Sequence, residues 1–278
     1  MIRIFADTST LYSSAQARQA GFTVTPLSVA IRGKTYREFD ELSPQQLLGL
    51  IDAEHLPTSS QPSTGDILQL YEQYPGDTIL HITMAGGLSG TYASAVAAAG
   101  LCEGGQKITV LNSRTLCGPH RYLAENAVRM LRSGADADAI LQRTRELIET
   151  SKSFLIPADF AYLRRGGRLS PLVSYVGQAV RFSPLLTPAP DAKRLTLAGV
   201  KRSFLHAAQT AAHTFREMGV NADWRLYITH ADAPALAGQA RRLFHAMFPQ
   251  TPVEILPLSP VFITHGGPGC VALQAIHA

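Results

Sequence analysis

The sequence TILHITMAGGLSGTYASAVAAAG, residues 78–100, decides the fold class of this chain. It begins with an apolar run typical of a buried strand and ends with an alanine-rich stretch typical of a helix, closed by Gly100. Between them lies AGGLSGT, residues 85–91, whose glycines let a ligand approach the backbone. Free N–H groups and the positive dipole end make a helix N-terminus suitable for an anion. The same turn is equally consistent with a plain βα connection in which Ser89 or Thr91 caps the helix.

Length and composition narrow the kinds of protein and ligand to which such a turn could belong. The chain has 278 residues, 46% of them hydrophobic and 17% charged, which is enough for two domains with cores of their own. Lys and Arg number 25 against 21 Asp and Glu, without a long basic run, so we predict a solvated surface and no nucleic-acid partner. The nine histidines lack metal-ligand spacing, and we predict neither a metal nor a cofactor.

The cysteine spacing and the first residues of the sequence indicate in which cellular compartment the protein works. Cys102, Cys117 and Cys270 form no CxxC pair, which argues against a disulfide framework or a zinc ribbon and fits a reducing cytosol. The residues at the start lack a basic segment followed by a long apolar core, and no stretch of about 18 apolar residues occurs. We therefore predict a cytoplasmic protein whose contact with a membrane is at most transient.

Strand and helix patterns alternate along the chain. A first strand ends at Asp7, a hairpin turns at Arg32-Gly33, and a helix begins at Ser43 with Pro44 in its first turn. Up to about residue 150 this alternation predicts a mostly parallel sheet covered on both faces, and the second half of the chain continues it as a second α/β unit. We place the domain boundary near Lys152, which gives an N-terminal α/β domain of residues 1–152 and a C-terminal α/β domain of residues 153–278. Residues 171–186 have the pattern of an apolar helix.

Three further polar segments are candidates for a site. Residues 56–63, LPTSSQPS, hold more hydroxyls than a connector needs, although a serine there could simply cap the next helix. Residues 164–168, RRGGR, form either a solvated helix end or a platform that faces an anion. His265 follows an apolar run and precedes GGPG, so it is either a structural histidine or one held at a defined exposed place. GLSGT resembles a hydrolase nucleophile elbow but has Thr91 where the elbow has glycine.

Taken together, four segments resemble the DegV family in order and approximate spacing: TSSQPS at 58–63, GGLSGTYASA at 86–95, DFAYLRRGGRLS at 159–170 and THGGPG at 264–269. The resemblance implies two α/β domains of the DegV type with a long-chain fatty acid between them. It also implies a lipid-binding component of a bacterial fatty-acid kinase, without catalysis of its own. In that scheme the chain presents the carboxylate to a separate ATP-dependent kinase subunit, which makes the acyl phosphate.

The resemblance also assigns residues. It implies that the fatty-acid carboxylate is bound by Ser59, Ser89 and His265. Neighbouring positions that would contribute to ligand binding are Ser60, Gly90, Thr91 and Gly266. Arg165 and Arg168 would contact the partner or a phosphate, since two permanent cations do not suit an apolar tunnel. The chain departs from the family pattern where it has Ser59 for threonine and Asn112 for aspartate.

Three functions stay open at this point. They are the fatty-acid-binding kinase component, a Ser-dependent hydrolase of small esters, and a binder of another amphipathic anion without a kinase partner. Several apolar residues are equally pocket lining or ordinary core: Phe160, Val173, Val176, Phe182 and Phe262. The sequence predicts neither the preferred chain length and unsaturation nor the oligomeric state.

Overall fold

The computed structural model describes residues 1–103, 105–174 and 182–278. Its contacts divide the chain into two compact units. The first unit comprises Met1–Glu149 and Ser259–Val261, and the second comprises Thr150–Leu258 and Phe262–Ala278. The α/β class predicted from the alternation is confirmed, while the domain limits 1–152 and 153–278 stay a prediction.

The first unit is built on a parallel sheet. Its elements are β1 (Ile2–Asp7), a 3-10 turn (Thr8–Thr10), α1 (Ser14–Ala20), β2 (Thr23–Thr25), β3 (Ser28–Ile31), β4 (Lys34–Arg37), α2 (Pro44–Leu50), β5 (Thr58–Ser60), α3 (Thr64–Tyr71), β6 (Thr78–Thr83), α4 (Thr91–Leu101), β7 (Lys107–Asn112), α5 (Cys117–Arg132) and α6 (Ala137–Thr150). The sheet has the order β2-β1-β6-β7 with every neighbouring pair parallel. A second, antiparallel sheet has the order β4-β3-β5.

Local sequence accounts for several of these boundaries. Ser43 caps α2 in a capping box with Gln46, and Pro44 occupies the first turn, as predicted. Ser63 caps α3, so one hydroxyl of the polar loop serves the next helix. The hairpin between β3 and β4 turns at Arg32-Gly33, whose φ angles of 50° and 75° give the left-handed turn that a two-residue hairpin requires.

A buried cluster joins the parallel sheet to two helices. Phe5 and Ile79 supply it from β1 and β6, and Ile67, Tyr71, Ala95 and Ala98 supply it from α3 and α4. The small alanines of α4 let this helix lie close to the strands, in keeping with the close packing of protein interiors. The packing fixes the position of the turn between β6 and α4.

The second unit has a mixed sheet. Its elements are β8 (Lys152–Ile156), α7 (Phe160–Arg165), α8 (Pro171–Ser174), β9 (Ser183–Pro188), β10 (Leu195–Lys201), α9 (Phe204–Glu217), β11 (Trp224–His230), α10 (Pro234–Met247), β12 (Val253–Pro257), α11 (Pro260–Gly266) and β13 (Val271–His277). The strand order is β10-β9-β8-β13-β11-β12. Among these pairs β11 and β12 are parallel and the others are antiparallel.

The helix predicted over residues 171–186 is wrong at its C-terminal end. The structure has a helix over Pro171–Ser174 and the strand β9 over Ser183–Pro188. Pro184 disfavours a helix continuing through this position, and Leu185 and Leu186 are fully buried in the strand. Val176 lies outside the described residues. None of the helices in the described ranges is both long and apolar enough to cross a membrane.

Candidate functional site

The turn between β6 and α4 has the conformation of a capped helix start. The Ser89 hydroxyl accepts a hydrogen bond from the backbone N–H of Thr91 and lies 2.8 Å from the Thr91 hydroxyl oxygen. Thr91 is fully buried, and Ser89 is partly exposed. Ser89 therefore acts as the side-chain cap that the glycine at position 90 cannot provide. The capping role and a ligand role for Ser89 are compatible, because a hydroxyl has two acceptor sites and one donor.

Backbone donors remain beyond that cap. In the described part of the chain, the N–H groups of Tyr92 and Ala93 have no acceptor. Ser94 N donates to Gly90 O at 2.9 Å, which is where the intrahelical ladder begins. Two unpartnered N–H groups, the positive helix end and the Ser89 hydroxyl together favour a bound anion.

Asn112 fixes the other side of this turn. Its side-chain oxygen accepts from the N–H of Gly86 and from the N–H of Arg114, both at 3.0 Å. A β-carbon on Gly86 would lie 3.0 Å from the Asn112 amide nitrogen, so glycine permits this close approach. The residue that stands where the DegV pattern has aspartate thus holds the glycine turn in place as an amide.

Gln61 brings the polar loop to the glycine turn. Its amide nitrogen donates to the Ser94 hydroxyl at 3.2 Å, and its side-chain atoms lie only 2.4–2.6 Å from where a β-carbon on Gly90 would be. Ser59 and Ser60 lie in β5, immediately before Gln61, with Ser59 partly exposed opposite Val29 of β3. Loop and turn therefore meet through Gln61, within the first unit.

His265 lies at the end of α11, in the second unit. Its Nδ1 is 3.2 Å from the carbonyl oxygen of Gly166, so Nδ1 is the donor and the neutral ring carries no proton on Nε2. Burial, with a smaller contribution from the nearby charge of Arg168, lowers the pKa of His265 to about 4. At neutral pH the imidazole is therefore uncharged.

The arginine-glycine segment packs against this histidine. Arg168 donates from Nη1 to the same Gly166 oxygen at 2.8 Å and is half-buried, and burial lowers the pKa of its guanidinium. Arg165 is exposed and stacks over the ring of Tyr162, 5.3 Å from its centroid. The two arginines that the sequence grouped together thus have different surroundings.

Gly266 and Gly166 are sites of close packing in the second unit. A β-carbon on Gly266 would lie 2.7 Å from the sulfur of Cys270, and one on Gly166 would lie 3.0 Å from the carbonyl oxygen of His265. Burial raises the pKa of the Cys270 thiol to about 12, so this sulfur stays protonated. Both glycines serve the packing around His265.

Neither a metal centre nor a serine–histidine pair is found at the glycine turn. In the part of the chain that the structure describes, no three His, Cys, Asp or Glu side chains cluster as metal ligands. Ser89 is hydrogen-bonded to Thr91, and no imidazole of the described first unit is hydrogen-bonded to it. An activated serine requires a base within hydrogen-bond reach.

The whole chain matches one family. A family model described as "Uncharacterised protein, DegV family" covers residues 1–278. The chain belongs to the DegV family. A DegV domain-containing protein of Listeria monocytogenes is 28% identical to it over 98% of this chain and 97% of that protein. The resemblance inferred from the four segments is thereby confirmed.

Solved structures of DegV proteins share the fold. A fatty acid binding DegV family protein from Streptococcus agalactiae aligns with a TM-score of 0.89 and 25% identity, covering 100% of this chain and 99% of that one. A structure described as fatty acid binding of a DegV family protein from Thermus thermophilus aligns with a TM-score of 0.88 and 25% identity over the same shares.

Sequence reasoning missed a fully buried carboxyl group of this DegV chain, that of Glu38. Glu38 is fully buried and accepts from the Thr8 hydroxyl, from the Ser259 side chain and from the N–H of Val261, the last at 2.9 Å. Burial raises the pKa of Glu38 to about 7. Val261 belongs to α11, the helix that ends with His265 and Gly266. Glu38 therefore fixes the start of that helix.

A second buried network uses the residues that follow β1. Asp7 accepts from the N–H groups of Ser9 and Met84, and Ser9 is hydrogen-bonded to Nδ1 of His120, whose Nε2 donates to Ile82 O. Asp7 and Ser9 follow β1 at the carboxyl edge of a parallel sheet, where ligands often bind, but both are enclosed and hydrogen-bonded to the protein. His120 carried no signal in the sequence beyond its place in an apolar helix.

Proposed function

We propose that this DegV chain is a fatty-acid-binding protein. The observation that carries the proposal is the pair of unpartnered N–H groups of Tyr92 and Ala93 beside the Ser89 hydroxyl. Such a group of donors suits a carboxylate, and the two structural relatives at 25% identity are described by what they bind, namely fatty acids. Ser59, Ser89 and His265 are the proposed carboxylate contacts, with Ser60, Gly90, Thr91 and Gly266 as neighbouring contacts.

Affinity and selectivity have different sources in this proposal. Burying a methylene contributes roughly 0.8 kcal/mol, so the 14 or so methylenes of palmitic acid contribute roughly 11 kcal/mol before the cost of ordering the ligand. The donors at the glycine turn contribute orientation and select the acid over uncharged lipids. The alkyl chain therefore decides how tightly the ligand binds, and the head-group donors decide which ligand binds.

Ser89→Ala tests the head-group site. A hydrogen bond to a charged group contributes roughly 1.5–3 kcal/mol, so this change should weaken palmitic acid binding by about tenfold to a hundredfold. Binding of methyl palmitate, which has no carboxylate, should change little. Both ligands would be titrated into the wild type and the variant by calorimetry.

The control for this experiment is Ser203→Ala. Ser203 caps α9 in the second unit, so its removal costs a helix cap without touching the glycine turn. Its affinity for palmitic acid should equal that of the wild type. If Ser89→Ala binds the acid as tightly as Ser203→Ala does, while both remain folded, Ser89 is a capping residue only and the carboxylate site lies elsewhere.

The second step of the proposal is presentation of the carboxylate to a separate ATP-dependent kinase subunit in the cytoplasm. Arg165, exposed and stacked on Tyr162, is available to a partner or a phosphate, whereas Arg168 is engaged with Gly166. Palmitoyl phosphate should form from palmitic acid and ATP only when both proteins are mixed. Formation by the kinase subunit alone would contradict this step.

The two other functions have less support. A hydrolase requires a base for Ser89, and the only side-chain oxygen bonded to Ser89 is that of Thr91 among the described residues. A different amphipathic anion would use the same donors. Competition between palmitic acid and an alkyl sulfate of equal length would separate these two ligand classes.

A further inference from the structure

A basic groove lies between α10 and β12, in the second unit. Its volume is about 460 Å³, within the range of small-molecule pockets. The polar side chains that line it are those of His230, Arg241, Arg242 and His245, and Pro234, Ala237 and Ile255 form its apolar walls. Its lining includes no carboxylate.

The helix presents these groups along one face. Gly238, Arg241 and His245 follow one another at three- and four-residue intervals in α10, which places them on a common stripe. The guanidinium of Arg242 lies 3.7 Å from where a β-carbon on Gly238 would be, so the glycine leaves the groove open beside it.

Every charged or titratable side chain in the groove presents hydrogen-bond donors. Arg241 donates from Nε to Nε2 of His245 at 3.2 Å, so the proton of the neutral His245 ring is on Nδ1. His230 accepts at Nδ1 from the N–H of Ala233 at 3.1 Å, so its proton is on Nε2. Burial keeps the pKa of His230 below its usual value, while Asp232 opposes that shift.

The arginines of the groove are not explained by ion pairs. Across the described residues neither Arg241 nor Arg242 forms a salt bridge, whereas Arg37 and Arg143 each pair with a glutamate on their own segment. The segment Pro234–Met247 contains no Asp or Glu at all. A negative helix end accounts for His245 in the last turn, but Arg241 lies near the middle of the helix.

We propose that this groove binds a phosphate-bearing anion, the phosphate group being held by Arg241 and Arg242. The two imidazole acceptors of the groove are already hydrogen-bonded within the protein, so donors remain for a ligand that has acceptors, and the planar guanidinium matches phosphate oxygens in pairs. The groove is larger than one phosphate group, so the class extends to diphosphates and nucleotides, whose apolar part meets Ile255. This binding does not depend on the fatty-acid function.

The test measures pyrophosphate and ADP binding to the full chain by calorimetry, with the imidazole resonances of His230 and His245 followed by NMR. Arg241→Gln combined with Arg242→Gln should weaken pyrophosphate binding at least thirtyfold. The matched control is Arg216→Gln, because Arg216 also hydrogen-bonds a histidine, His213, but on α9 outside the groove. Its affinity should stay within twofold of the wild type.

One further variant controls for misfolding of the double arginine variant, and one further ligand identifies the source of the phosphate. Gly238→Leu keeps both arginines and fills the groove, and it should reduce binding as much as the double change does. Vesicles of phosphatidylcholine with phosphatidic acid replace pyrophosphate in a parallel titration. If the wild type binds the vesicles but neither pyrophosphate nor ADP, and if the double arginine variant and Gly238→Leu both lose vesicle binding, the phosphate is that of a lipid headgroup.

Two results would overturn the proposal. One is that neither pyrophosphate, ADP nor the vesicles bind the wild type or shift the two imidazole resonances. The other is that Arg216→Gln weakens binding as much as the double change, which would mean attraction to overall charge.

Discussion

At the scale of single residues, His265 shows how its surroundings set its protonation. Its ring is largely buried, its Nδ1 donates to a carbonyl, and Arg168 donates to the same oxygen. A carboxylate at Nε2 could be bound by this ring only if a proton were added there, because the neutral ring has its proton on Nδ1. The charge of Arg168 opposes that proton and a bound carboxylate favours it, so the proposed contact with His265 requires proton uptake on binding.

Arg168→Gln should therefore raise the pKa of His265. The value should rise above about 4 yet stay below the usual 6.5, because burial is the larger cause of the depression. NMR titration of the imidazole measures it. Arg165→Gln is the matched control, since Arg165 has no part in lowering this pKa. A His265 pKa that is the same in all three proteins would show that the charge of Arg168 does not reach the ring.

Sequence reasoning at this scale found residues in special turns and missed residues in special surroundings. Ser89 and His265 stand out because glycines surround them in the chain. Glu38 lies in a run of charged residues, REFDE, whose other charged members are exposed, so nothing local distinguishes it. Its burial follows from a contact with Val261, 223 positions away, which no local pattern records.

At the scale of elements, the packing of the end of α11 against the turn that leads to β13 depends on one glycine. Gly266→Ala puts a methyl group 2.7 Å from the Cys270 sulfur and should lower the free energy of unfolding by about 1–3 kcal/mol. Cys270→Ala removes that sulfur, so the double variant should be more stable than the sum of the single effects by about 1 kcal/mol or more. Chemical denaturation of the four proteins measures the coupling.

Gly100→Ala is the control for this cycle. It lies in α4 with open space where its β-carbon would be, so alanine should leave stability unchanged or raise it by up to about 1 kcal/mol. Additive effects of Gly266→Ala and Cys270→Ala would contradict the predicted contact.

The elements themselves were predictable where local chemistry determines them. The capped start of α2 and the turn at Arg32-Gly33 follow from residues within four positions. The short helix α11 and the strand β13 were not predicted. The seven-residue segment VALQAIH is too short for its periodicity to distinguish a strand from a helix, and the glycines before β13 drew attention to the turn alone.

At the scale of the whole molecule, Glu38 should make stability depend on pH. Its pKa is about 7 in the folded chain against 4.5 in the unfolded one, so the folded state binds the proton more tightly. Below pH 4.5 Glu38 is protonated in both states and does not lower the free energy of unfolding. As pH rises from 4.5 to 7 the unfolded state loses this proton first, so the free energy of unfolding falls. A shift of this size corresponds to a loss on the order of 3 kcal/mol.

Glu38→Gln removes this titration. His81 and His265, whose pKa values burial lowers to about 4, act in the opposite direction, since their contribution is lost as pH falls from 6.5 towards 4. The informative quantity is therefore the unfolding free energy of the wild type minus that of Glu38→Gln, which should fall between pH 4.5 and 7. A difference that is constant across this range would mean that Glu38 is ionised throughout.

The place of β13 has a consequence for how the chain is made. This strand is synthesised after the other five of its sheet, yet it lies between β8 and β11. While β13 is still inside the ribosome, the strands β10-β9-β8 and the strands β11-β12 are two separate parts of the sheet, because the strand that pairs with both β8 and β11 is missing. The parallel sheet β2-β1-β6-β7, by contrast, has all of its strands by residue 112. The second sheet can therefore close only after β13 has left the ribosome, and chaperones that shield apolar strands should be needed most before that point.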